Sequence, residues 1–122
     1  MHALLLTWDL SDRKPELISE LRKYVASESW GRYRDVPGLV EKTWFSDEKA
    51  MVFGAFYLWE TAIALERELA DTHSVEVITG VKPTVRRFDI EAIQEGRHSV
   101  TNRFASGKAW VTDAGKLLAT NS

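Results

Sequence analysis

Two neighbouring stretches constrain this chain more than any other feature. Leu39-Val40-Glu41-Lys42-Thr43-Trp44-Phe45 and Met51-Val52-Phe53-Gly54-Ala55-Phe56-Tyr57-Leu58-Trp59 read as the arms of a β-hairpin around the polar loop Ser46-Asp47-Glu48-Lys49. The loop length places Trp44 opposite Phe53. One face then carries Val40, Lys42, Trp44, Phe53, Ala55, Tyr57 and Trp59, and the other carries Leu39, Thr43, Phe45, Val52, Gly54, Phe56 and Leu58. An antiparallel sheet with one wet face alternates apolar with polar residues. Here neither face is wet, and a layer of helices covers only one. Each large apolar side chain left in water forgoes on the order of 1.5–3 kcal/mol, and together they form an adhesive patch. A second covering layer is therefore expected. It is either the same face of a second copy, as in a two-fold homodimer, or the C-terminal segment; the homodimer is the more economical.

The flanking sequence completes a recognisable order. Residues 3–9, Ala-Leu-Leu-Leu-Thr-Trp-Asp, read as a buried central strand. Ser11-Asp12 offers a helix N-cap and Pro15 suits a first turn. Leu17, Ile18, Leu21, Tyr24 and Val25 then follow at helical spacing, with the end expected between Ser27 and Gly31. Val36-Pro37-Gly38 marks a turn. After the hairpin, Thr61 is a plausible cap for a helix with Ala62, Ile63, Leu65 and Leu69 on one face. Val75-Val77-Ile78 is a short apolar stretch before Gly80, and Thr84 to Ile90 read as a last strand. Strand, helix, strand, strand, helix, strand is the α+β ferredoxin-like βαββαβ pattern, an antiparallel sheet with two helices on one face. Residues 1–95 form that domain. Residues 96–122 are more polar, anchored by Phe104 and Trp110, and form a C-terminal extension that packs on the domain or on a partner chain.

Composition removes several function classes. A length of 122 residues suits one domain. The net charge of -2 lacks the basic excess of a nucleic-acid binder or an anionic-membrane binder. No apolar run approaches the roughly 18–20 residues of a membrane span. The apolar start, Met1 to Leu6, lacks the basic n-region and cleavage site of a signal peptide. With no Cys there is neither disulfide nor thiol nucleophile, which agrees with a cytoplasmic location. Walker A, dinucleotide-glycine, HExxH and Gly-x-Ser-x-Gly motifs do not occur, and His2, His73 and His98 share no ligand spacing. No metal and no cofactor is expected.

What remains is polar groups among aromatics. Lys42 alternates with Trp44 and faces Tyr57 and Trp59 across the hairpin. Desolvation would lower its pKa, and its amine would hold an anionic or enolic oxygen; the plainer account is a Lys whose stem lies on the sheet while its amine reaches water. Trp44, Tyr57 and Trp59 either stack on a flat ligand or pack as ordinary core. His73, just past the second helix, is a candidate general base or a solvated or helix-capping residue. Arg86 and Arg87 point to opposite faces of the last strand, so one is a candidate to fix a carboxylate or enolate. Tyr33 and Arg34 are candidates to flank a pocket mouth.

Pro37-Gly38-Leu39 with Lys42-Thr43-Trp44, the hairpin continuing to Gly54-Ala55-Phe56-Tyr57-Leu58, and Gly80-Val81 with Val85 to Phe88-Asp89 resemble the YdhR-type monooxygenase family. These are small proteins similar to the antibiotic-biosynthesis monooxygenases. The resemblance spans residues 3–95 and implies a dimeric α+β barrel with a pocket between sheet and helices. It also implies oxidation of a small aromatic or polyketide-like substrate by dioxygen through a substrate carbanion, without metal or flavin. On that reading His73 is the base, Lys42, Tyr57 or Arg87 donate to the oxyanion, and Trp44, Tyr57, Trp59 and Tyr33 bind the substrate. The alternatives are a non-catalytic ligand-binding or stress-related dimer and a haem-binding relative with His73 as axial ligand.

Overall fold

The computed structural model describes residues 1–98 and 107–110. Strand β1 spans His2–Asp9. Helix α1, Leu17–Tyr24, passes without a break through a π-helical segment, Val25–Ser29, into α2, Trp30–Tyr33. Strands β2, Leu39–Asp47, and β3, Val52–Trp59, form the hairpin. Helices α3, Ala62–Ala70, and α4, Ser74–Thr79, lead to β4, Thr84–Asp89. The sheet order is β2-β3-β1-β4, with antiparallel pairing throughout. This is the ferredoxin-like α+β fold, with the helices on one face.

The core lies between that face and the helices. Leu4, Leu6 and Trp8 of β1 meet Phe53, Ala55, Tyr57 and Trp59 of β3, under Leu17, Ile18, Leu21 and Val25 from the first helix and Ala64 and Leu65 from α3. The Thr61 hydroxyl caps α3 by accepting the Ala64 N–H at 3.2 Å. The opposite face carries Leu5, Phe45, Val52, Phe56, Leu58 and Phe88, of which Phe45 and Phe88 are exposed.

Several local expectations change. The first helix begins at Leu17 with no side-chain cap; the Asp9 carboxylate instead accepts the Ser11 N–H, so Ser11-Asp12 belong to a turn and Pro15 precedes the helix. The helix runs on to Tyr33, beyond Gly31, because the π segment re-phases it and keeps Val25 and Ser29 buried. The hairpin register is two residues from the expected one: Trp44 lies opposite Ala55, and Phe53 faces Ser46. A shift of two preserves the faces. A β-bulge between Leu39 and Glu41 is the exception; it sets Leu39 opposite Trp59 and leaves Val40 48% exposed. Ile63 is 70% exposed, so the buried stripe of α3 is Ala64, Leu65 and Glu68. The apolar stretch around Val75 is helical. Phe104, and the extension apart from residues 96–98 and 107–110, lie outside the described residues.

Two glycines are set by space. Gly38 turns into β2 at φ +82°, and a Cβ there would sit 2.7 Å from the Ala64 Cβ. Gly54 lies under the Phe45 ring, and a Cβ there would come within 2.8 Å of the Leu6 carbonyl oxygen. A backbone oxygen in the sheet centre has little freedom to retreat. Gly54→Ala should therefore destabilise the fold by about 1–3 kcal/mol, read as a lower urea midpoint with an unchanged slope.

Candidate functional site

The site begins with a row across the hairpin. Lys42 on β2 pairs with Tyr57 on β3, and both side chains lie on the helix side. The re-phased first helix brings Tyr33 over them. The Lys42 Nζ stands 3.2 Å from the Tyr33 ring centroid and 4.6 Å from those of Trp44 and Tyr57. Three ring faces thus surround one amine and favour its cationic form. Burial acts the other way and is stronger. It brings the amine down to about 7 from its ordinary 10.5, with Glu68 pulling it up and Arg32 adding to the depression. The plainer account of Lys42, a stem on the sheet with its amine in water, does not hold.

Glu68 is the residue the sequence reading passed over. It occupies the buried stripe of α3 and is 6% exposed. Its Oε2 accepts the Tyr33 hydroxyl at 2.5 Å and faces the His73 Nε2 at 2.8 Å. Burial alone would raise its pKa; the hydrogen bonds from His73 and Tyr33, with the Lys42 charge nearby, outweigh it and hold the carboxylate ionised. Burial raises Tyr33 and Tyr57 well above the phenol range, with Glu68 contributing to both, so the phenols stay protonated donors. His73 immediately precedes α4 and neither caps a helix C-terminus nor lies in solvent. The signal for Glu68 was a carboxylate at an inward position of an apolar helix stripe.

Two spaces adjoin these groups. An inner hollow of about 20 Å³ is bounded by Trp8, Tyr33, Lys42, Tyr57, His73 and Trp44, and holds no more than about one water. The Trp8 indole N–H is buried with no acceptor among the described residues. An outer cleft of about 460 Å³ runs along edge strand β2, between it and the first helix, with Lys42, Trp44, Trp30 and Trp110 among its walls. That volume lies in the range of about 300–1,000 Å³ typical of small-molecule sites. Lys42, Trp44 and Phe53 border both spaces.

The sequence candidates therefore separate. Lys42, Trp44, Tyr57, Tyr33 and His73 come together, but His73 borders only the hollow. Trp59 stacks on Tyr57 at 5.7 Å from within the core and borders neither space. Arg87 is not with them. It lies in the Lys42–Tyr57–Leu4 row but at the far edge of the sheet, about 14 Å away over three strand spacings. There it pairs with Glu66 beside a separate hollow. Arg34 borders neither of the two spaces beside Lys42, whereas Trp30 and Trp110, which the sequence reading left out of the site, border the cleft. Among the described residues no cluster of three or more His, Asp or Glu could hold a metal ion, and no helix is long and apolar enough to cross a membrane.

The depressed Lys42 amine has a thermodynamic signature. Between about 7 and its ordinary 10.5, the unfolded chain holds this proton and the folded chain does not. Stability then rises with pH across that window. Thermal unfolding from pH 7 to 9 should show the wild type gaining on Lys42→Met as pH increases; parallel curves would contradict the buried amine.

No protein-family profile and no characterised relative matches the chain by sequence. Solved structures do match by fold. A protein of unknown function from Nitrosomonas europaea superposes with a TM-score of 0.60 at 14% identity, over 78% of this chain and 93% of its own. A monooxygenase from Streptomyces coelicolor, ActVA-Orf6, in complex with nanaomycin D, gives a TM-score of 0.57 at 17% identity, over 78% of this chain and 92% of its own. SnoaB from Streptomyces nogalater, a cofactor-independent oxygenase, gives 0.52 at 15% identity, over 75% and 94%. The chain shares the α+β fold of these oxygenases.

Proposed function

We propose that this protein is a cofactor-independent monooxygenase acting on a small aromatic or polyketide-like compound with an acidic C–H. The observation that carries the reading is the Lys42 amine, enclosed by Tyr33, Trp44 and Tyr57 and bordering the large cleft. A base of pKa about 7 is well matched to proton abstraction near neutral pH. The deprotonated amine takes the substrate proton, and the resulting ammonium stays beside the carbanion it has created. The carbanion passes one electron to dioxygen. Substrate radical and superoxide then combine to a peroxide, which takes up a proton. Loss of water leaves a new carbonyl, with one oxygen atom in the product and the other in water. Both electrons come from the substrate. The base role assigned to His73 from sequence passes to Lys42, because His73 stands behind the amine on Glu68 and does not border the cleft. Glu68 and Tyr33 hold the amine's surroundings in place. The fold shared with two oxygenases supports the same reading.

Oxygen uptake with anthrone-type substrates under air tests it. Uptake should rise from pH 6 to 8 through the Lys42 titration. Lys42→Met should lower the rate by about 10²–10⁴-fold, the usual worth of a general base. Ligand binding without uptake across such a panel would leave a binding protein instead.

We also propose that the open face of the sheet pairs with its copy in a homodimer. Phe56 and Leu5 lie at its centre, with Leu58 and Phe88 beside them. The described part of the C-terminal extension packs instead against the first helix through Trp110 and Trp30. Sedimentation at micromolar concentration should give twice the chain mass, and Phe56→Glu should give a single chain with native far-UV circular dichroism.

A further inference from the structure

The outer cleft is not built by the ferredoxin-like domain alone. Gly107, Lys108, Ala109 and Trp110, from the C-terminal segment, form part of its wall. Trp110 meets Trp30 edge-on, with centroids 5.0 Å apart and planes at 80°, and is 7% exposed. Trp30 in turn lies 6.0 Å from Trp44, the strand residue next to the caged amine. Three indoles therefore line the cleft from its outer end to its chemical end. Lys108 reaches Glu48 at 3.8 Å, and Glu48 is also held by Arg22, but these groups are exposed. Exposed pairs contribute little, so the segment is anchored mainly by Trp110 on Trp30.

We propose that Trp110 closes the outer end of the cleft and sets the length of the planar ligand that the cleft admits. This rests on the cleft being the substrate pocket. A flat molecule lying between Trp44 and Trp30 with its anionic end toward Lys42 extends toward Trp110. The indole edge then acts as a stop, and rejection of a longer ring system follows from steric overlap in a packed wall. A wall residue supplied by a segment outside the βαββαβ core lets ligand size be set without altering the residues around Lys42.

The test is a ladder of non-reacting anions, naphthalene-2-sulfonate, anthraquinone-2-sulfonate and a four-ring linear sulfonate, titrated calorimetrically into the full chain. The wild type should bind the three-ring probe at least tenfold more tightly than the four-ring one. Trp110→Ala should reduce that preference to within threefold. Trp110→Leu, which keeps an apolar contact on Trp30, should do the same if the alanine variant unfolds. A preference unchanged within twofold in a folded variant, with binding abolished by Trp44→Ala, would overturn the role of Trp110 and leave the cleft intact. Failure of the wild type to bind any member would overturn the cleft as a pocket and this proposal together. Binding is read without turnover, so the outcome is independent of the oxygen-uptake assay.

Discussion

A carboxylate can lie under a helix only if its lone pairs are occupied, since an unpaired buried charge costs several kcal/mol. Glu68 meets that condition with the Tyr33 hydroxyl and the His73 ring, both on the same oxygen. The three residues come from the end of the first helix, from α3 and from the approach to α4. Their network therefore fixes how these helical pieces sit over the sheet. It also fixes the Tyr33 ring against which the Lys42 amine rests. The negative charge below and the rings around keep a solitary lysine tolerable at a buried position, while burial still costs it most of its ordinary basicity.

The sheet was legible because strand periodicity is local, and the sheet order follows from the alternation of helices with strands. The hairpin faces survived a two-residue error in register because side chains alternate with a period of two. Val40 was misplaced because a bulge leaves no mark in residue type. The caging of Lys42 could be expected from its aromatic neighbours. The separation of Arg87 could not, because which residues share a row depends on strand order as well as on face. Glu68 was missed because a charged residue on a helix is ordinarily read as solvated, and its partners lie 35 residues upstream and five downstream. Trp30 and Trp110 were out of reach for the same reason of sequence distance, compounded by the π segment.

The likeness to Streptomyces oxygenases, at 15–17% identity, fixes architecture. One fold carries many chemistries, so function has to be argued from the groups in the site. Here those are one uncommonly acidic ammonium, two phenols that keep their protons, and a cleft large enough for a small aromatic. Each follows from burial, and burial follows from how the first helix is phased over the hairpin.

That phasing rests on the π segment Val25–Ser29. Each residue of an α-helix advances the chain by about 100° around the axis, so removing one residue there would swing everything after it by that angle. Tyr33 would rotate off Glu68, and Trp30 would leave the neighbourhood of Trp44. The number of residues between Tyr24 and Trp30 is thus a functional dimension of this protein. Relatives that shed the extra residue would have to rebuild the roof above the lysine from other side chains.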